Sequence, residues 1–195
     1  MKIPDSVKYS ARLAFANNPK LKDVKLGSGL EVIGNESFSN SPNVINPSFP
    51  ANLKEIGDYA YRGNQKITKI VIPDSVLRLG NGAFISNSSL KDVIFGKNLK
   101  EIPFEAFKSS ALSTITIPSY VQRVGGGAFS LNPQLISILI EHGVVSLGDY
   151  AFEGSALTDV NLPNSVTFVG KGAFRNITSL QSVKLSENLE IIPAE

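Results

Sequence analysis

The sequence predicts a repeat solenoid, one elongated array of stacked coils, and three observations carry that expectation. The first is an aromatic column: Phe15, Phe38, Tyr61, Phe84, Phe107, Phe129, Phe152 and Phe174 follow one another at 23, 23, 23, 23, 22, 23 and 22 residues. A fixed period in this range marks a chain whose repeats bury their apolar faces by stacking on one another. The second is that apolar positions recur in register between the rings. The third is uniformity: no linker or composition shift interrupts the period, so the 195 residues form one array of about eight repeats.

Taken in order, Ile3-Pro4-Asp5-Ser6-Val7 matches Ile72-Pro73-Asp74-Ser75-Val76, so the sequence opens in the middle of a repeat. At the far end Ile191-Ile192-Pro193-Ala194-Glu195 matches Glu101-Ile102-Pro103-Phe104-Glu105 and stops before its ring. Solenoid ends need polar caps. Neither end has one, so this stretch is expected to be a segment of a longer array or to have its ends covered.

Each repeat starts with a strand of the form L-x-x-V-x-L: Leu21/Val24/Leu26, Ile67/Ile70/Ile72, Leu90/Val93/Phe95, Leu112/Ile115/Ile117, Leu135/Ile138/Ile140, Leu157/Val160/Leu162 and Leu180/Val183/Leu185. Val44/Pro47/Phe49 is a degraded copy in which Pro47 removes a ladder donor. Alternation turns the apolar members inward and the residues between them outward. Two further apolar columns follow, Leu30 to Leu189 and Ile33 to Ile192, and then glycine at 34, 57, 80, 125, 148 and 170, with Pro103 and Pro193 as substitutes. Proline in that column argues against a required positive φ and for a tight bend or close backbone approach. Next comes the ring, usually behind an alanine (Ala83, Ala106, Ala128, Ala151, Ala173) that leaves room for a continuous spine. Truncating one such ring is expected to cost about 3–5 kcal/mol. Three residues past it stand Asn18, Ser41, Asn64, Asn87, Ser110, Asn132 and Ser155, polar side chains placed to satisfy backbone groups of neighbouring coils. Every shortening falls there: Ser110-Ala111-Leu112 and Ser155-Ala156-Leu157 lack one residue relative to Asn87-Ser88-Ser89-Leu90.

The bulk numbers exclude several classes of function. The 19 Lys+Arg and 17 Asp+Glu are scattered, which gives no basis for a nucleic-acid partner. No apolar run is long enough to insert in a membrane. The amino terminus MKIPDSVKY has no signal-peptide core. With no cysteine and one histidine, neither a disulfide framework nor a Cys/His metal cluster can be built, and no cofactor is expected.

The pattern L-x-x-I-x-I-P-x-S-V-x-x-I-G-x-x-A-F resembles the BspA-like class of leucine-rich repeats over essentially the whole chain. That family often has Cys three residues after the aromatic, where this chain has Asn or Ser. The resemblance implies a right-handed curved solenoid, with the L-x-x-V-x-L strands as a parallel sheet on the concave face and turns and short helical segments elsewhere. It also implies an extracellular or cell-surface location and a role in adhesion or host-protein binding.

The outward strand positions are the informative ones for function. One outward column reads Lys25, Ser48, Val71, Ile94, Thr116, Leu139, Asn161, Lys184, polar at its ends and apolar or β-branched in the middle. The expected site is therefore the stripe Val71, Ile94, Thr116, Leu139 on the concave face, flanked by Lys69 and Asp92, since an apolar patch rimmed by polar groups marks an interaction surface. Other candidates are structural. Gly125-Gly126-Gly127 sits at the repeat's glycine turn with no Lys-Ser/Thr after it. His142 has no second histidine or cysteine to complete a nucleophilic constellation. Asp23, Asp92 and Asp159 share a column without being adjacent, so no carboxylate pair forms. Asn35, Asn87 and Asn176 begin glycosylation sequons, with Asn87 in the inward column. The reading is a non-catalytic recognition module for a protein or glycan ligand. The alternative is a structural spacer or self-assembling segment that stacks through uncapped ends, Ile3 at one and Ile192 at the other.

Overall fold

The computed structural model describes residues 1–191, so the expected placements of Ile192 and Pro193 lie outside the described residues. In chain order the strands are β1 (Tyr9–Ser10), β2 (Val32–Ile33), β3 (Glu55–Ile56), β4 (Lys69–Val71), β5 (Arg78–Leu79), β6 (Asp92–Ile94), β7 (Glu101–Ile102), β8 (Thr114–Ile117), β9 (Arg123–Val124), β10 (Ser137–Ile140), β11 (Ser146–Leu147), β12 (Asp159–Asn161), β13 (Phe168–Val169) and β14 (Ser182–Lys184). All pairings are parallel, and together they make a β-solenoid with a coil repeat near 23 residues.

The L-x-x-V-x-L segments give β4, β6, β8, β10, β12 and β14. Ile70 and Ile72 are buried while Val71 between them is exposed, as strand alternation requires. This long-strand sheet is not continuous. It pairs as β4–β6, β8–β10 and β12–β14, with single bridges from Lys2 to Lys25 and Lys25 to Ser48 at its start. Paired strands stand 23 residues apart: Lys69 opposite Asp92, Thr114 opposite Ser137, Asp159 opposite Ser182. The ladder stops where the spacing falls to 22, between Asp92 and Thr114 and between Ser137 and Asp159. The one-residue loop deletions are the cause. In a full-length loop Lys91 N–H donates to the Thr68 carbonyl at the strand's first step (2.9 Å), whereas the shortened loops bond earlier, Ala111 N–H to Leu90 O (3.0 Å) and Ala156 N–H to Leu135 O (2.9 Å). The short coil spends its contact before the strand begins.

A second parallel sheet, not foreseen as strand, is formed by the two-residue segments ahead of the glycine column. It runs β1-β2-β3-β5 and then β7-β9-β11-β13. The glycines belong to this ladder as donors: Gly80 N–H bonds Ile56 O and Gly125 N–H bonds Ile102 O, each at 2.7 Å. None of the column's glycines has a positive φ. What they need is space, because a Cβ on Gly80 would stand 2.3 Å from the Asp58 nitrogen and one on Gly148 2.5 Å from the Gly126 nitrogen. The close-approach reading holds. Pro103 has no N–H to give Leu79, and the sheet breaks there, between β5 and β7.

The core lies between these sheets and the aromatic column. Successive rings from Phe15 to Phe174 stack nearly parallel with centroids 5.1–5.7 Å apart. Tyr61 keeps the stack, but its hydroxyl is buried without a partner and burial drives its pKa up. The alanines beside the rings are buried, and the asparagines of the polar column do the expected work, whereas the buried Ser110 and Ser155 hydroxyls have no partner. Asn64 Nδ2 donates to Phe38 O (3.0 Å) and its Oδ1 accepts from Ser41 N–H (2.9 Å), while Asn132 Nδ2 donates to Phe107 O (3.0 Å). No helix forms among the described residues, in contrast to the short helical segments expected outside the strands. The reason is a pair of left-handed residues in every coil, two before and two after each ring, as at Glu36 (φ 56°) and Asn40 (φ 53°) around Phe38. They turn the amide of Glu36 onto Asp58 O and that of Asn40 onto Arg62 O (2.8 and 2.7 Å), so alternate amides on this side of the coil bond to the neighbouring coil, and those between them, such as Ser37 to Gly34 O, close only single turns.

Candidate functional site

The long-strand sheet places the sequence-predicted site residues in two register-matched groups. Lys69 stands opposite Asp92 and Val71 opposite Ile94 on β4–β6, and Thr116 stands opposite Leu139 on β8–β10. Val71, Ile94 and Leu139 are 47%, 49% and 57% exposed, and Lys69, Asp92 and Thr116 are exposed as well. The two groups meet across the open ladder between β6 and β8. A groove of about 460 Å³ lies on that seam, lined by Lys69, Asp92, Ile94, Phe95, Thr114, Thr116, Pro118 and Tyr120. Val71 and Leu139 flank it rather than line it.

Four of these lining residues, Phe95, Thr114, Pro118 and Tyr120, were not among the expected ones. In the following coil Glu141 N–H donates to Ile117 O (3.0 Å) and continues the ladder. Pro118 has no N–H to give Phe95, and the Tyr120 hydroxyl donates to Phe95 O instead (2.7 Å). Partial burial, with the Asp74 and Glu141 carboxylates nearby, raises the Tyr120 pKa above the ordinary tyrosine value, so the phenol keeps the proton it donates. A signal was present: Tyr120 occupies the column in which other coils carry Ser75 and Ser165.

The polar groups here are open. Among the described residues, the side chains of Lys69, Asp92, Thr114, Thr116 and Ser137 have no hydrogen bond or ion pair within the chain. The groove thus offers an ammonium, a carboxylate and hydroxyls beside exposed aliphatic side chains. That set suits reversible recognition.

The remaining candidates resolve into structure. His142 is exposed, and the adjacent Glu141 carboxylate accepts from Ser119 N–H (2.9 Å), joining two coils. Asp159 accepts from Ser182 Oγ (2.6 Å), and hydrogen bonds from Ser182 and Thr158 hold its pKa below the usual carboxylate range. Asn87 is fully buried, which bars glycosylation there. Gly125 gives close approach, and Gly127 has a left-handed φ of 59°. No group of three or more His, Cys, Asp or Glu among the described residues is arranged to hold a metal, and no helix is long and apolar enough to cross a membrane.

Comparison with known proteins is consistent along the chain. The sequence matches the family described as BspA type leucine rich repeat region, in 6 copies, over residues 1–112 and 100–195. Among solved structures, a leucine-rich repeat protein from Bacteroides ovatus is 27% identical with a TM-score of 0.88, and the alignment covers 93% of this chain and 48% of that one. The pneumococcal vaccine antigen PcpA is 23% identical with a TM-score of 0.63, covering 74% of this chain and 40% of that one. A leucine rich cell surface protein from Faecalibacterium prausnitzii is 22% identical with a TM-score of 0.60, covering 96% of this chain and 69% of that one. The last two share the fold alone. This chain spans about half the length of the Bacteroides protein. No curated protein matches it.

Proposed function

The chain belongs to the BspA-type leucine-rich repeat family, and from that premise we propose that it is a non-catalytic recognition module of a surface or secreted protein. It binds a protein or glycan through the long-strand sheet, with the groove between β6 and β8 at the centre. The observation that carries this reading is the open chemistry of that sheet. Val71, Ile94 and Leu139 are exposed around polar side chains that have no partner in the chain, where a sheet needed only for folding would satisfy them coil to coil. The cell-surface relative and the pneumococcal antigen support a surface location by likeness of fold.

The test is binding of the wild type and a Val71→Asp/Ile94→Asp/Leu139→Asp variant to a panel of extracellular matrix proteins and glycans, with light scattering to fix the oligomeric state of each. The three side chains are exposed, so the variant is expected to fold, and each aliphatic anchor lost from an interface centre costs about tenfold or more in affinity. Wild-type binding that vanishes in the folded variant supports the module. Equal binding by both removes the long-strand face from the reading. Self-association of the wild type without any ligand favours the stacking spacer.

A further inference from the structure

The short-strand side carries a second groove, built where two columns abandon their usual residues. In the column that follows the glycines, Asn35, Asp58, Asn81 and Asp149 stand in the central coils. These side chains close a ladder: Asn35 Oδ1 accepts from Asp58 N–H and Asp58 Oδ1 from Asn81 N–H (2.9 Å each), and Asp149 Oδ1 accepts from Lys171 N–H (2.8 Å). Phe104 and Gly126 interrupt that column, and Phe104 is 49% exposed. In the outward column of the sheet, which is charged from Glu55 through Arg78 and Glu101 to Arg123, Phe168 stands 53% exposed. All these departures face one groove of about 630 Å³, floored by Gly126 and Gly127 and walled by Phe104, Tyr150 and Phe168. Gly126 makes room for the Phe104 ring, but folding does not call for the two aromatics, since the neighbouring coils fold with Asn, Asp or Ser at the same places.

We propose that this groove binds a short, neutral oligosaccharide. The walls set the first requirement. No ring of Phe104, Tyr150 or Phe168 is stacked on another among the described residues, and although Tyr150 leans on Gly172 and Phe104 on Gly126, Phe104 and Phe168 stay 49% and 53% exposed and offer open aromatic surface to a ligand. The C–H face of a pyranose ring packs on such a face, whose quadrupole is negative. The rim sets the second. Glu105 pairs with Lys108, Glu153 lies 4.0 Å from Arg175 and accepts from Asn176 Nδ2, and Asp149 is held by the Lys171 amide, so no cationic side chain of the lining is left to draw an anionic ligand. The same carboxylates and the ammonium supply acceptors and a donor at the edge, which sugar hydroxyls match and the rings of a proline-rich peptide do not. The floor sets the third, because the Phe104 ring lies over the backbone at Gly126, where a Cβ would stand 3.3 Å from its Cδ2, so the floor continues the aromatic wall. From Phe104 to Phe168 the groove crosses three coil steps, roughly 14 Å at the usual strand spacing, which is room for a few linked sugars. The site is independent of the long-strand face.

The variants follow from the repeat itself. Phe104→Asn gives its coil the residue of Asn81, and Phe168→Ser gives its coil that of Ser146, so Phe104→Asn/Phe168→Ser is expected to keep the wild-type circular dichroism and melting. Saturation-transfer NMR is run with neutral glucose, galactose, mannose and N-acetylglucosamine oligomers up to about 10 mM, the range of weak single-site affinities. The expected result is transfer to the C–H protons of at least one oligomer in the wild type and a Kd weakened about tenfold or more in the double variant. Absence of transfer from every sugar overturns the proposal. So does transfer of equal strength to the double variant, or displacement of the bound sugar by oligoproline at comparable concentration, which would mark the groove as a peptide site.

Discussion

The two parallel sheets share every coil and yet solve their outer surfaces in opposite ways. On the short-strand sheet the outward charges are spent on one another: Arg78 pairs with Glu55 and with Asp58, and Arg123 with Glu101, each through partners one coil away. Lys54 and Lys8 both reach Glu31. On the middle of the long-strand sheet the corresponding positions hold exposed aliphatics and polar groups without partners. Backbone follows the same division. Among the described residues the short-strand ladder breaks only at Pro103, whereas the central long-strand ladder opens twice where loops lose a residue. Between Glu31 and Arg123 the short-strand surface is closed by charge pairs within the chain, whereas the middle of the long-strand surface keeps polar groups without partners.

Three changes test that contrast. The largest effect is expected from Gly148→Ala, because the new Cβ meets the Gly126 nitrogen and carbon, backbone atoms that have nowhere to retreat within a hydrogen-bonded ladder. A loss of about 1–3 kcal/mol is expected from such overpacking, read as a lowered urea midpoint with unchanged slope. Val71→Asp on the open sheet should move the same midpoint by less than about 0.5 kcal/mol, and a larger shift there would contradict the contrast.

Next comes Tyr120→Phe. It removes the hydrogen bond to Phe95 O across the seam and should cost about 0.5–1.5 kcal/mol, with faster amide exchange in β8 than in β10. Its pH dependence has a definite sign. The folded pKa of Tyr120 is raised, so its contribution is whole below the ordinary value of 10.0 and fades as pH climbs through the raised one. In Tyr120→Phe that alkaline component should be absent. The smallest effect belongs to Arg78→Ala. Its pairs with Glu55 and Asp58 are half exposed, so a loss of about 0.2–1 kcal/mol that shrinks in high salt is expected. A loss that persists in high salt would mean that Arg78 acts by packing.

Much of this was legible before any coordinates. The ring column, the apolar columns, the buried alanines and the bonding role of Asn64 and Asn132 follow from the period, because a solenoid repeats its solutions. The short-strand sheet was not legible. Two residues such as Val32–Ile33 carry no alternation to read, and their pairing comes from the neighbouring coil. Nor were the left-handed positions, which are filled by Leu13, Glu36, Tyr59 and Tyr150 as readily as by glycine. Coil-to-coil hydrogen bonds impose them, and residue type does not. At the site, the stripe could be named from composition. The groove could not, since it arises from a missing loop residue, a proline without an N–H and a tyrosine in a serine column acting together.

The positions of the breaks also bear on how the array carries load. Where Pro103 opens the short-strand sheet, β4–β6 is closed between the same two coils. Where the loop at Ser110 opens the long-strand sheet, β7–β9 is closed, and where the loop at Ser155 opens it again, β11–β13 is closed. The joints are staggered like courses of brick, and none of these openings runs through the wall. Tension along the axis then meets at least one intact sheet and the stacked rings at each of these interfaces.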